Sequence, residues 1–197
     1  YGVCLNGGAT CIAPRRIFVS DRSMTDFKEL FLKELANRAS EPFQIDPRAL
    51  ERARKAVEEA LSQGASVLAG ELPAEKYAAK MQPIVLGNVT PAMKVAKSDL
   101  FVPITCLIEY DDVSAAVESD RDCPYSLGAS IFGPQTSADH WAKQIDAGCV
   151  TINDLIVLTA DPRVSFGGLD QSGWGVTRGA DGLLEMTRSK TVCTRKG

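Results

Sequence analysis

Histidine is almost missing from this chain: His140 is the only one among 197 residues. That scarcity removes most hydrolytic constellations, because Ser/His/Asp and Cys/His arrangements need an imidazole beside the nucleophile. His140 precedes Trp141 in a stretch that reads as helix, without a second imidazole or a cysteine at ligand spacing. It reads as a solvent-facing helix residue, and no metal site is expected. The six cysteines, Cys4, Cys11, Cys106, Cys123, Cys149 and Cys193, form no C-x-x-C pair. A secreted disulfide scaffold is shorter and denser in cysteine, so reduced thiols and a cytoplasmic setting are expected. No apolar run approaches the roughly 20 residues that cross a bilayer, and no charged-then-apolar leader opens the chain. Lys and Arg are dispersed and the net charge is −3, which argues against a nucleic-acid surface. Internal repeats and low-complexity tracts are absent too. So is an initiator Met: Tyr1-Gly2-Val3-Cys4 runs straight into a glycine turn, and the chain reads as a segment of a longer polypeptide.

What is present is an alternation of strand and helix signals, in a chain long enough for one large domain or two small ones. Residues 16–20 are β-branched and aromatic enough for a strand. Residues 21–36 follow as a helix, with Met24, Phe27, Leu30, Phe31 and Leu35 on one face. Residues 37–45 are polar, contain Pro42 and read as loop. Asp46-Pro47 then offers an N-cap and a first-turn proline, and Leu50, Ala53, Val57, Ala60 and Leu61 carry a helix to Gly64. Further strands are expected at 66–69, 83–89, 104–109, 127–132 and 149–152, with helices at 113–117 and 137–145. Near-continuous apolar strands separated by helices imply crossover connections and a mostly parallel sheet covered on both faces. The fold class is α/β, as a three-layer αβα arrangement. Residues 161–182 are glycine-rich with neither periodicity, and the tail 188–195 reads as one more strand, exposed and open to pairing.

Chemistry concentrates in Asn6-Gly7-Gly8-Ala9-Thr10-Cys11-Ile12-Ala13-Pro14-Arg15-Arg16. Paired glycines let backbone approach closely and leave a neighbouring thiol uncovered, and a thiolate is a strong nucleophile near neutral pH. A buried small residue at a strand entrance is the other reading. Ser98-Asp99-Leu100-Phe101-Val102-Pro103 sets a carboxylate two residues from an aromatic, just before a buried strand. Such a pair suits ribose hydroxyls and a flat heterocycle, or is a solvated acid beside a core ring. Ser165-Phe166-Gly167-Gly168, with residues 155–159, forms an apolar loop near a strand end, where ligands collect in open α/β sheets. Gly173-Trp174-Gly175-Val176-Thr177-Arg178-Gly179 is one residue too long for a dinucleotide fingerprint and follows no apolar strand, so it reads as folded turns.

In order along the chain, these pieces resemble the aldehyde dehydrogenase superfamily. Asn6 to Cys11 is similar to its nucleophile segment, and 83–86 through Ser98-Asp99-Leu100-Phe101-Val102-Pro103 to its cofactor-contacting stretch. Asp122-Cys123-Pro124-Tyr125-Ser126-Leu127, residues 148–154, Phe166-Gly167-Gly168 through Ser172-Gly173-Trp174-Gly175, and Lys190-Thr191-Val192 resemble the remaining signatures. The resemblance implies a catalytic domain over 1–187 and a C-terminal oligomerisation strand over 188–197. It implies oxidation of a small-molecule aldehyde to a carboxylic acid with NAD or NADP, in a homodimer or homotetramer without nucleic-acid or membrane partners. Cys11 would form a thiohemiacetal and then a thioester that water hydrolyses, with its own N–H holding the oxyanion. Asp99 would contact the ribose and Phe101 the nicotinamide. Thr10, Ile12, Val157, Leu158 and Phe166 would line the substrate path.

The chain departs from the family pattern where Asp99 replaces the usual Glu and Val102 a usual Gly, and in the short link 37–45. The resemblance also places the general-base glutamate, the oxyanion asparagine and the dinucleotide-binding domain ahead of Tyr1, so the segment by itself is not expected to turn over aldehyde. Two other readings stand beside aldehyde oxidation. One is a coenzyme A-acylating or semialdehyde dehydrogenase of the same superfamily, and the other a non-catalytic assembly domain of this fold.

Overall fold

Residues 1–39, 41–74, 80–155 and 160–197 are described by the computed structural model of the chain. Contacts gather into two compact units, Tyr1–Pro124 and Tyr125–Gly197. The first unit runs β1 (Arg16–Ser20), α1 (Asp21–Arg38), β2 (Phe43–Gln44), α2 (Pro47–Ser62), β3 (Ser66–Ala69), β4 (Lys80–Met81), β5 (Ile84–Gly87), α3 (Lys94–Lys97), β6 (Ile104–Tyr110) and α4 (Val113–Arg121). Its sheet has the order β1-β6-β5-β3, with β1 and β5 parallel to β6 and β3 antiparallel at the edge. Side chains alternate between faces along a strand, and both faces are covered here. Ile84, Leu86, Ile104, Cys106 and Ile108 pack with Leu50, Ala53, Val57 and Ala60 of α2. Val85 and Leu107 pack with Met24, Phe27, Phe31, Leu32 and Leu35 of α1. Two-sided burial is why these strands read as unbroken apolar runs. The arrangement is the three-layer αβα fold expected from the sequence, and each fully buried aliphatic contributes about 1.5–3 kcal/mol.

The local signals act as expected at α2. The Asp46 side chain accepts from Arg48 N–H at 2.8 Å, Pro47 fills the first helical position, and Gly64 follows the helix at φ +102°. Elsewhere the elements differ from expectation. Helix α1 continues to Arg38 and α4 to Arg121, past the last apolar residue that periodicity registers. Phe43–Gln44, inside the presumed loop 37–45, pairs antiparallel with Lys80–Met81.

The second unit contains β7 (Tyr125–Ser126), β8 (Gly128–Ile131), α5 (Gln135–Ala142), β9 (Cys149–Ile152), β10 (Phe166–Gly167), β11 (Leu169–Asp170), β12 (Val176–Thr177) and a last helix, Gly179–Glu185. Strands β8 and β9 are parallel, while β7 pairs with β11 and β10 with β12, both antiparallel. The stretch 161–182, featureless in sequence, thus holds three short strands and the start of a helix. Its glycines allow close packing: a Cβ on Gly167 would lie 2.3 Å from the Gly175 carbonyl oxygen, and one on Gly148 would lie 2.0 Å from that of Gly167. Helix α5 begins two residues before the expected 137 and ends at Ala142. Residues 188–197 pair with no strand among the described residues of their own chain, and a strand requires a ladder partner. No described helix is long and apolar enough to cross a membrane.

Candidate active site

The Cys11 thiol is exposed, as is that of Cys193, whereas Cys106, Cys123 and Cys149 are buried and Cys4 is intermediate. Burial pushes Cys106 from an ordinary 9.0 up to about 12, with Arg16 opposing weakly. Burial likewise raises Cys4, against the N-terminus and Arg38.

Exposure of Cys11 comes from the turn ahead of it. Asn6, Gly7 and Gly8 have φ of 50°, 60° and 73° within the 3-10 turn Leu5–Gly8. Three left-handed residues in succession need glycine at most of them. Gly8 is required twice over, because a Cβ there would meet Pro103 N and Val102 C at 2.5 Å. The chain then turns across Thr10 to Ala13, closed by Ala13 N–H donating to the Thr10 carbonyl at 3.1 Å, with Cys11 and Ile12 at its crest. Among the described residues the Cys11 N–H has no acceptor. Thr10 and Ile12 flank the thiol and are half-buried.

One side chain joins this turn to the Asp99–Pro103 segment. Arg15 Nη1 donates to the Val102 carbonyl at 2.8 Å, and Nη2 donates to the carbonyls of Gly8 at 2.9 Å and Thr10 at 3.5 Å. Nη2 also pairs with Asp99 Oδ1 at 3.2 Å, and the guanidinium carbon stands 5.7 Å from the Phe101 ring centre. Burial lowers the Arg15 pKa, while the Asp99 carboxylate and then Cys11 act in the opposite direction. The main chain of Arg15 is fixed as well, its carbonyl accepting from Cys106 N–H at 2.9 Å just before β1 begins. Sequence reading places Arg15 in the nucleophile segment without a role. The guanidinium's reach across 84 residues to Asp99 leaves no local signal.

Asp99 and Phe101 therefore share one neighbourhood with Thr10 through the Arg15 guanidinium. Phe101 holds φ 52°, unusual for an aromatic residue. The residue is 41% exposed and the Asp99 side chain 26% exposed. Phe166 belongs to the second unit, on β10, half-buried, with the Arg178 guanidinium 4.8 Å from its ring centre. Val157 and Leu158 lie outside the described residues. His140 is exposed on α5, its Nε2 2.8 Å from Gln144 Nε2. Among the described residues no His/Cys/Asp/Glu cluster suits a metal ion.

Known proteins are similar to this chain over nearly its whole length. An aldehyde dehydrogenase from Paenarthrobacter nicotinovorans is 33% identical over 200 residues, covering 96% of this chain and 43% of that protein. A succinate-semialdehyde dehydrogenase [NADP(+)] from Deinococcus radiodurans is 32% identical over 197 residues, covering 95% and 41%. The crystal structure of an NADP-dependent glyceraldehyde-3-phosphate dehydrogenase from Bacillus halodurans C-125, complexed with NADP, superposes with a TM-score of 0.82 at 28% identity, covering 93% of this chain and 40% of that one. The chain thus spans about two-fifths of the length of the relatives it matches. The sequence profile of the aldehyde dehydrogenase family matches residues 1–192, through the cysteine turn, the αβα sheet and the glycine-rich segment alike, and the chain belongs to that family.

Proposed function

We propose that this chain is the nucleophile-bearing catalytic domain, residues 1–187, of an NAD(P)-dependent aldehyde dehydrogenase that converts an aldehyde to a carboxylic acid. The observation that carries this reading is the exposed Cys11 at the crest of its turn, joined through Arg15 to Asp99 and Phe101. Cys11 Sγ attacks the carbonyl carbon, and the carbonyl oxygen takes the electron pair and accepts a hydrogen bond from the Cys11 N–H. Removing one such donor typically costs about 2.7–4 kcal/mol of transition-state stabilisation. The thiohemiacetal on Cys11 becomes a thioester by loss of hydride, and water then releases the acid.

A partly exposed carboxylate beside an exposed ring fits a ribose and a flat heterocycle, so Asp99 and Phe101 are assigned to the cofactor. NAD or NADP, when bound, supplies the hydride acceptor. Thr10 and Ile12 are assigned to the aldehyde from their places beside the thiol, and Phe166, Val157 and Leu158 from the family resemblance alone. Residues 188–197 are assigned to assembly of a homodimer or homotetramer, and the free thiols support a cytoplasmic setting. A semialdehyde substrate is the second reading, supported by the name of the Deinococcus radiodurans relative. Product analysis with and without coenzyme A separates hydrolysis from acyl transfer.

The test is protection. A millimolar aldehyde is expected to slow iodoacetamide labelling of Cys11 saturably while leaving Cys193 untouched. Equal labelling of Cys11 with and without aldehyde contradicts the proposal.

A further inference from the structure

We infer that Arg15 is a positioning residue whose fork couples the Asp99 carboxylate to the turn carrying Cys11, so that the state of Asp99 sets the reactivity of the thiol. The inference rests on the assignment of Cys11 as nucleophile and Asp99 as cofactor contact. Arg15 Nη2 carries two hydrogens and faces three oxygens: the Gly8 carbonyl at 2.9 Å, Asp99 Oδ1 at 3.2 Å and the Thr10 carbonyl at 3.5 Å. Gly8 and Thr10 bracket the turn that presents Cys11, and Thr10 immediately precedes it. Nη1 is committed to the Val102 carbonyl at 2.8 Å, and the backbone of Arg15 is tied to β6 through Cys106 N–H. With both the main chain and Nη1 fixed, the remaining freedom of the fork is how Nη2 divides itself between carboxylate and carbonyls.

The side chain is only 16% exposed, so these bonds are poorly replaced by water. A planar guanidinium suits this bridging task and a lysine ammonium does not. A ligand hydroxyl that hydrogen-bonds to Asp99 competes for the oxygen that Nη2 holds. Nη2 then loses the carboxylate that orients it, its hold on the Gly8 and Thr10 carbonyls weakens, and the turn around Cys11 loosens. The Asp99 contact and the thiol are thereby linked through one side chain, without a new element having to move.

The experiment is iodoacetamide labelling of the 197-residue chain at neutral pH, read at each cysteine by peptide mass spectrometry. Added N-acetylcysteine serves as the free-thiol control, and unlabelled Cys106 and Cys149 report an intact fold. Arg15→Met and Asp99→Ala are each expected to slow Cys11 labelling relative to N-acetylcysteine by about threefold or more, within the roughly twofold to hundredfold range of coupled neighbours. Arg15→Met/Asp99→Ala is expected to be no slower than Arg15→Met alone, and Asp99→Glu to restore the rate. Faster labelling in Asp99→Ala would overturn the inference, since it would mean that Arg15 acts only as a charge freed from its counter-ion. So would independent losses in the double variant, or failure of Asp99→Glu to rescue. If Arg15→Met exposes Cys106 by unfolding, Asp99→Ala against Asp99→Glu decides the matter. Rapid labelling of Cys11 that ignores both residues removes the coupling and leaves the nucleophile standing. Labelling of Cys11 no faster than N-acetylcysteine in the unaltered chain removes the nucleophile itself.

Discussion

Cys11 and Cys106 are the same residue type with opposite fates, and the difference lies in the backbone. Cys106 sits in the middle of β6 against α2, where desolvation of a thiolate raises its pKa to about 12. The folded state therefore holds the Cys106 proton above pH 9.0 while the unfolded state gives it up. Stability is complete below the unfolded value and declines as pH rises from 9.0 towards 12. The maximum slope from this group is about 1.4 kcal/mol per pH unit. Urea unfolding between pH 8 and 11 is expected to show that decline, and Cys106→Val to flatten part of it; an unchanged slope in the variant would remove the assignment. Gly8 supplies a second test. Gly8→Ala puts a methyl group against Pro103 at positive φ and is expected to cost more than about 1 kcal/mol in urea unfolding.

At the scale of elements, legibility follows the length over which a pattern repeats. Helix α2 was readable because its cap, its first-turn proline and its four-residue apolar rhythm agree, and Asp46→Ala is expected to lose about 1 kcal/mol by thermal or urea melts. Strands β5 and β6 were readable as apolar runs bounded by proline and polar residues. Strands β2 and β4 were not, since two residues contain no alternation and their pairing spans more than 30 positions in sequence. The helix Gly179–Glu185 escaped for a different reason. It opens on a glycine at φ 62° after Arg178 at φ 63°, and it includes Gly182, packed so that a Cβ would lie 2.5 Å from Thr177 C. Tertiary contact overrides weak helix propensity there. Of the candidate site, the motifs point to Cys11, Asp99 and Phe101, but the Arg15 fork beside them depends on a fold-made contact.

For the whole molecule, the sheet supplies a rigid frame and the cysteine turn lies at the head of β1. His140, the single histidine of the sequence, is exposed on α5. Leu183, Leu184, Met186 and Val192 are all more than half exposed, an apolar share that supports assembly through the C-terminal residues. Size-exclusion chromatography is expected to show association of the 197-residue chain that is lost when residues 188–197 are removed. The most direct measurement concerns the thiol on which the chemistry turns. With one iodoacetamide time course resolved by residue, Cys11 is expected to react several times faster than N-acetylcysteine in the same mixture, with Cys106, Cys123 and Cys149 silent. Matching rates at Cys11 and N-acetylcysteine would contradict the account.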